Sequence, residues 1–302
     1  MGKDSIKVQK DLLIKSMDRN NQVRVILART TELVNEARSR HNASATATAA
    51  LGRVITAALI MAAVDLKGEK DMLTIRVDGN GLAGPVIASA DSHGTARALI
   101  SNPQNDVPSL YPGKLAVGQL VGKDGFIEVL KDLGMKQPFV GKVELVSGEI
   151  AEDVANYYLK SEQTPSLIAL GVMVAPDLQV ISAGGLLVQA MPGADDEVLA
   201  QIEKNVEAMG PVSVVLEKVP QLDTIMQQVM KGIEFNIVGE QDLFFKCTCS
   251  FERLKNILSS LSMEELNDMW DEQNKIEVVC NFCNEVYYYH PEDININKNA
   301  SD

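Results

Sequence analysis

The 302-residue sequence predicts an α+β fold. An N-terminal, mainly antiparallel sheet with helices is expected over 1–190, a helical middle linker over 191–236, and a small four-cysteine module over 237–291. Three observations predict this. Short alternating apolar segments separated by Gly and Pro turns run to about residue 190, the pattern of an antiparallel sheet. After Met191-Pro192-Gly193 the apolar spacing becomes helical. All four cysteines follow residue 246, as Cys247-Thr-Cys249 and Cys280-Asn-Phe-Cys283. Residues 292–302 are polar and are expected to fray.

Alternation over 6–14 suits an edge strand, and the turn-rich Asp18-Arg-Asn-Asn leads to a second strand from Val23. A helix is expected from Thr31 to Arg40. The Ala-rich stretch from Ala45 to Ala63 has no Pro and is apolar nearly all round, which predicts a buried helix. Leu73-Thr-Ile-Arg-Val-Asp alternates strictly and is read as a strand. It runs into Gly79-Asn-Gly-Leu-Ala-Gly84, which matches Gly-x-Gly-x-x-Gly. A dinucleotide site needs a helix to follow, and Pro85-Val-Ile-Ala-Ser-Ala reads as another strand, so a hairpin turn is expected instead. Asp78-Gly-Asn-Gly also resembles the start of a calcium loop, but Ser89 stands where the ligating Glu is required.

Further strands are expected at 96–100, 125–130 and 141–146, a helix at 153–161, and strands at 168–174 and 180–189 joined by a turn at Pro176-Asp177. In the linker, Val198, Leu199, Ile202, Val206 and Met209 are helically spaced, and Gly210-Pro211 stops that helix. A second helix covers 222–231. This region is amphipathic without a core of its own and must pack on the preceding sheet. In the last module, Ser250 is expected to cap one helix and Ser262-Met-Glu-Glu265 another. Lys275-Ile-Glu-Val-Val and Val286-Tyr-Tyr-Tyr are expected to form a hairpin around the second cysteine pair, with Trp270 packed in the module.

The length allows about two domains, and 46% hydrophobic residues suffice for a sizeable core. The longest apolar run, Ile55–Val64, falls short of a membrane span. Residues 1–7 carry no apolar signal core, and Ile6 stands where a myristoylation signal needs Ser or Thr. A cytoplasmic location is therefore expected, where paired cysteines read as metal or redox chemistry. Net charge is −13, and residues from 237 onward hold 13 acidic against 5 basic residues. That balance opposes a phosphate backbone, so no nucleic-acid partner is expected, and no membrane partner either.

The four cysteines are the metal candidates: Cys247, Cys249, Cys280 and Cys283. Soft thiolates in two short chelates suit zinc, and four of them leave no open position for water, which makes the site structural. Two roles remain open on spacing alone, a static zinc clasp and a regulated switch. Residues i and i+2 of an extended strand lie about 6.6 Å apart, near the upper limit for a disulfide. Oxidation of Cys247 with Cys249 would bend the backbone and disfavour the metal-bound form. A thiol oxidoreductase using Cys280 and Cys283 is the alternative, weakened by the lack of a βαβ pattern. His41, His93 and His290 form no catalytic set, and Ser161-Glu-Gln-Thr-Pro165 reads as a helix-to-loop joint.

In its order of features the chain resembles the redox-regulated 33-kilodalton heat-shock chaperone family. The matching pieces are Arg40-His41 with Ala50-Leu-Gly-Arg53, Ser161-Glu-Gln-Thr-Pro165, Gly184-Gly185 with Gln189 and Met191-Pro-Gly193, and the Cys-x-Cys and Cys-x-x-Cys tail. The resemblance implies a cytoplasmic, ATP-independent holdase rather than an enzyme. It implies one zinc on all four cysteines in the reduced, inactive state. It further implies disulfides joining Cys247 with Cys249 and Cys280 with Cys283 on oxidation, loss of zinc, unfolding of the module, loosening of the linker, and an active dimer that binds unfolded client proteins.

Overall fold

The computed structural model describes residues 9–294, apart from 110 and 112. The start of the expected first strand (6–8) and most of the expected frayed tail (295–302) lie outside the described residues. The chain divides into two compact units, Met1–Lys246 and Cys247–Asp302.

The first unit begins β1 (Leu12–Asp18), β2 (Val23–Arg29), α1 (Thr31–His41), α2 (Ala45–Asp65), β3 (Met72–Asp78), β4 (Val86–Asp91) and β5 (Thr95–Ile100). It continues with α3 (Val117–Val121), β6 (Phe126–Asp132), β7 (Phe139–Glu144), α4 (Ala151–Lys160), β8 (Ser166–Val174) and β9 (Val180–Ala190). Helices α5 (Asp196–Met209), α6 (Val212–Lys218) and α7 (Leu222–Val229) follow, then β10 (Phe235–Asp242) and β11 (Phe244–Phe245). The expected mainly antiparallel sheet is present as two sheets. One is ordered β10-β1-β2-β9-β8, the other β11-β5-β4-β3-β6-β7. Every pairing is antiparallel except the short parallel contact of β11 with β5.

Helix α2 occupies the main core together with the apolar faces of both sheets, including Leu13, Ile26 and Leu187 from one and Ile75, Val77 and Val129 from the other. Its Ala-rich composition follows from that position, since small side chains let two sheets approach one helix. At 21 residues α2 is long and apolar enough to span a membrane, contrary to the expectation from the shorter run Ile55–Val64. Burial within the protein accounts for its hydrophobicity: 83% of its most apolar window is enclosed. Ser44 caps it, accepting from the Ala47 amide at 3.2 Å.

A second core lies on the other face of the β2 sheet. Ile14, Val23, Val25, Leu27, Leu186 and Val188 pack there against Ile202, Leu216, Ile225, Met226 and Val229 of α5, α6 and α7. The linker helices thus borrow their core from the sheet, as expected from their pattern. The adjacent Gly184 and Gly185 of β9 face opposite sides of it. A Cβ on Gly185 would meet Leu170 Cδ2 at 2.6 Å and Thr56 of α2 at 3.0 Å, and one on Gly184 would strike Leu216 of α6. The pair lets helices close on both faces.

Some boundaries differ from expectation. The expected module start at 237 falls inside β10, which pairs with β1. The sequence places β1 too early: Asp18 closes the strand and its carboxylate accepts the amides of Asn20, Gln22 and Val23. Helix α3 was not expected; five residues including Gly118 are too few to show a period. Gly79-Asn-Gly-Leu-Ala-Gly84 does join two antiparallel strands. A Cβ at Gly79 or Gly81 would collide with backbone of residues 120–122, so close chain approach explains these glycines.

Helix α1 is capped from a distance. Thr30 makes no side-chain cap bond, and the Asp11 carboxylate accepts the amides of Glu32 and Leu33 at 3.2 and 2.7 Å. Burial pushes the Asp11 carboxyl up to about 7 despite those amides.

Candidate metal centre

The second unit contains α8 (Phe251–Leu258), α9 (Met263–Met269), β12 (Ile276–Val279) and β13 (Val286–Tyr289). Ser250 caps α8 by accepting from the Arg253 amide. Ser262 and Glu265 form the expected capping box of α9. Strands β12 and β13 pair antiparallel, with Ile276 opposite Tyr289 and Val279 opposite Val286. A small core of Leu258, Leu266, Ile276, Tyr289 and Ile294 holds these pieces, and Trp270 packs against it.

Two loops deliver the cysteines. Cys247 and Cys249 lie on the irregular segment that ends at the Ser250 cap. Cys280 and Cys283 lie in the tight turn of the hairpin, where the amides of Cys283 and Asn284 donate to the Cys280 carbonyl at 3.3 and 2.7 Å. Asn284 takes the left-handed conformation that closes this turn, φ 54°, which Asn tolerates better than most residues.

All four sulfurs lie within 4.8 Å of one another. Cys247 Sγ is 3.7 Å from Cys280 Sγ, and Cys249 Sγ is 3.3 Å from Cys283 Sγ, so contacts join one pair to the other. Sulfurs about 2.3 Å from a tetrahedral zinc stand about 3.8 Å apart. The donor set therefore fits a tetrahedral metal ion. Cys283 is 3% exposed. Burial pushes the Cys283 and Cys249 thiols above the usual thiol range, so thiolates in this cluster need a compensating cation.

The tyrosine run of β13 contributes to the site by alternation. Tyr289 stacks on Phe251 with ring centroids 4.4 Å apart and donates to the Phe251 carbonyl at 2.9 Å. Two residues earlier on the strand, the Tyr287 hydroxyl lies 3.3 Å from Cys249 Sγ. The hydrogen bond to Cys249 is the main cause holding that hydroxyl above the usual phenol range. Tyr287 was not singled out from the sequence. The signal was available in the two-residue period of Val286-Tyr-Tyr-Tyr, but nothing local shows which parity faces the cysteines.

The histidines do not join the cluster. His41 Nε2 is 2.9 Å from the Ala98 carbonyl, His93 Nε2 is 2.9 Å from the Glu69 carbonyl, and exposed His290 lies beyond the end of β13. Ser161-Glu-Gln-Thr-Pro165 does form the joint after α4. There Glu162 accepts from Lys131 and from the Tyr157 hydroxyl, each at 2.8 Å.

Residues 11–290 match the family model described as Hsp33 protein. The chain is 45% identical over 284 residues to the 33 kDa chaperonin of Desulforamulus reducens, covering 94% of this chain and 96% of that one. It is 42% identical over 285 residues to the 33 kDa chaperonin of Bacillus cereus strain B4264, covering 94% and 97%. The crystal structure of the 33 kDa chaperonin (heat shock protein 33 homolog) of Thermotoga maritima superposes with a TM-score of 0.87 at 35% identity, covering 94% of this chain and 96% of that chain. With the family model matched over residues 11–290, these relatives at 42–45% identity and the shared fold, the chain belongs to the Hsp33 family.

Proposed function

We propose that this heat-shock chaperone family member is an ATP-independent holdase switched on by oxidation of Cys247, Cys249, Cys280 and Cys283. The observation that carries the proposal is the convergence of four sulfurs within 4.8 Å in a unit with so small a core. One zinc ion bound there would supply a structural cross-link between the two loops, with no open position for hydrolytic chemistry.

The chain's own residues define what oxidation does. Each disulfide forms with the loss of two electrons and two protons from two thiols; a peroxide accepts them, hydrogen peroxide leaving as two waters and an organic hydroperoxide as an alcohol and a water. Pairing Cys247 with Cys249 and Cys280 with Cys283 removes every sulfur link between the two loops. Pairing Cys247 with Cys280 and Cys249 with Cys283 would keep them tied. A disulfide closing a loop of about 33 residues constrains the unfolded chain by about 4 kcal/mol, against about 1.5 kcal/mol for a three-residue loop. Only pairing within each loop leaves the unit free to open, which supports the adjacent disulfides that the family resemblance implies.

The linker helices supply the client surface in this reading. Opening α5–α7 uncovers the apolar face with Val23, Val25, Leu27 and Leu186, and large exposed apolar patches bind other proteins. The covalent path from Cys247 to α7 runs through β11 and β10, so loosening of α7 has to involve these strands. We assign the partners as unfolded or misfolded proteins, the active form as a homodimer, the compartment as the cytoplasm, and no role to nucleic acid. A thiol oxidoreductase would need an accessible, low-pKa thiol, and Cys283 is buried.

The test compares two preparations with a chemically denatured client whose aggregation is followed by light scattering. Peroxide-treated, metal-free protein suppresses aggregation at near-stoichiometric ratio without nucleotide, and reduced, zinc-loaded protein does not. Equal suppression by both would sink the switch. Size-exclusion chromatography of the oxidised form checks the dimer.

A further inference from the structure

Tyr289 and Tyr287 occupy one face of β13. The Tyr289 contacts with Phe251 fix that strand against the first turn of α8, which follows directly after Cys249 and its cap Ser250. The same register brings the Tyr287 hydroxyl to 3.3 Å from Cys249 Sγ. A thiolate has no proton to give, so when Cys249 serves as a ligand the direction of this bond is fixed: the phenol donates and the sulfur accepts. Tyr287 is half-buried and packs against the core of the unit, so its hydroxyl is held in place by packing.

We propose that Tyr287 is a positioning residue for the metal centre, whose hydroxyl donates to the Cys249 thiolate, orients it and lowers its reactivity toward oxidants and electrophiles. The proposal rests on reading the four cysteines as metal ligands. Groups that hydrogen-bond to ligands commonly change metal affinity or activity by roughly 10–100-fold. Here the chemical consequence is specific. In attack on a hydroperoxide, sulfur forms an S–O bond as the O–O bond breaks. Sulfur loses two electrons, and the departing oxygen takes a proton from water. The sulfenic acid then reacts with a neighbouring thiol: the S–S bond forms, the S–O bond breaks, and the hydroxyl leaves as water with the thiol's proton. Charge moves off Cys249 in the first step. A donor that stabilises that charge in the resting state therefore slows attack.

The test uses the full-length reduced protein loaded with cobalt(II) and, separately, with zinc. Tyr287→Phe keeps the ring and removes the donor. Tyr289→Phe removes a hydroxyl from the same strand face that bonds a backbone carbonyl instead. The sulfur-to-cobalt charge-transfer band of Tyr287→Phe is expected to shift to lower energy. Its Cys249 is expected to be alkylated by iodoacetamide about tenfold faster, resolved by peptide mass spectrometry. Tyr289→Phe is expected to change stability and leave the band in place. An unchanged band and alkylation rate in folded, cobalt-loaded Tyr287→Phe overturns the proposal while leaving the metal reading intact. Wild-type protein that binds no cobalt through four thiolates overturns the metal reading and this proposal with it. Should Tyr287→Phe not fold, 3-fluorotyrosine at position 287, a stronger donor, is expected to slow Cys249 alkylation, and an unchanged rate overturns the proposal.

Discussion

Removing the metal from reduced protein should unfold the second unit and leave the first one folded. The second unit comprises residues 247–302, and among the described residues its buried apolar core consists of Leu258, Leu266, Ile276, Tyr289 and Ile294. Cores of units below about 70–80 residues rarely supply more than about 3–5 kcal/mol. Structural zinc in small peptides contributes about 10–16 kcal/mol at pH 7. The metal term is therefore at least twice what such a core supplies, and in a unit this small core burial set against about 1.5 kcal/mol of ordering entropy per residue comes out near zero, so without the metal no net stability is left. The first unit has no such dependence: α2 lies among two sheets, and residues such as Leu51, Ile55, Ile75 and Val129 are fully enclosed. The assay is hydrogen–deuterium exchange before and after chelation, with metal content measured on the same sample. Amides of α8, β12 and β13 should exchange at unfolded-chain rates, and those of α2 and β2 should keep their protection. Cys283→Ser should reproduce the chelated pattern. Retained protection in α8 and the hairpin of verified metal-free protein would refute the reasoning, because the small core would then suffice.

Further predictions concern the first unit. Asp11 has a folded-state carboxyl pushed up to about 7 from an ordinary value of 3.8. Its contribution is fully present below about pH 4 and is lost as pH rises toward 7, by up to about 4 kcal/mol. Urea melts of Asp11→Asn should show a flatter stability profile from pH 4 to 7 than wild type, and equal slopes would refute the assignment. The Tyr158 hydroxyl is buried and has no hydrogen-bond partner among the described residues. Tyr158→Phe should stabilise the protein by about 1–2 kcal/mol in thermal or urea melts. Ile225 is fully buried between α7 and the β2 sheet. Ile225→Ala should cost about 2–5 kcal/mol, raise hydrogen exchange in α5–α7, and increase client protection by reduced protein if the linker covers the client surface.

Spacing and periodicity determined much of this molecule, because they are local properties of the chain. Strict alternation marked β3, the Ala-rich run marked α2, and caps at Ser250 and Ser262 marked the helices between the cysteine pairs. The four cysteines were legible as one site because two short chelates can converge on a tetrahedron. Three things needed the tertiary structure. The division of strands between two sheets depends on α2 lying within one core with both, which no single strand encodes. The assignment of β10 and β11 to the first unit depends on pairing with β1 and β5, more than 140 residues away in sequence. The role of Tyr287 depends on strand parity. A two-residue period says that Tyr287 and Tyr289 share a face, and only the packing of Tyr289 on Phe251 decides that this face meets Cys249.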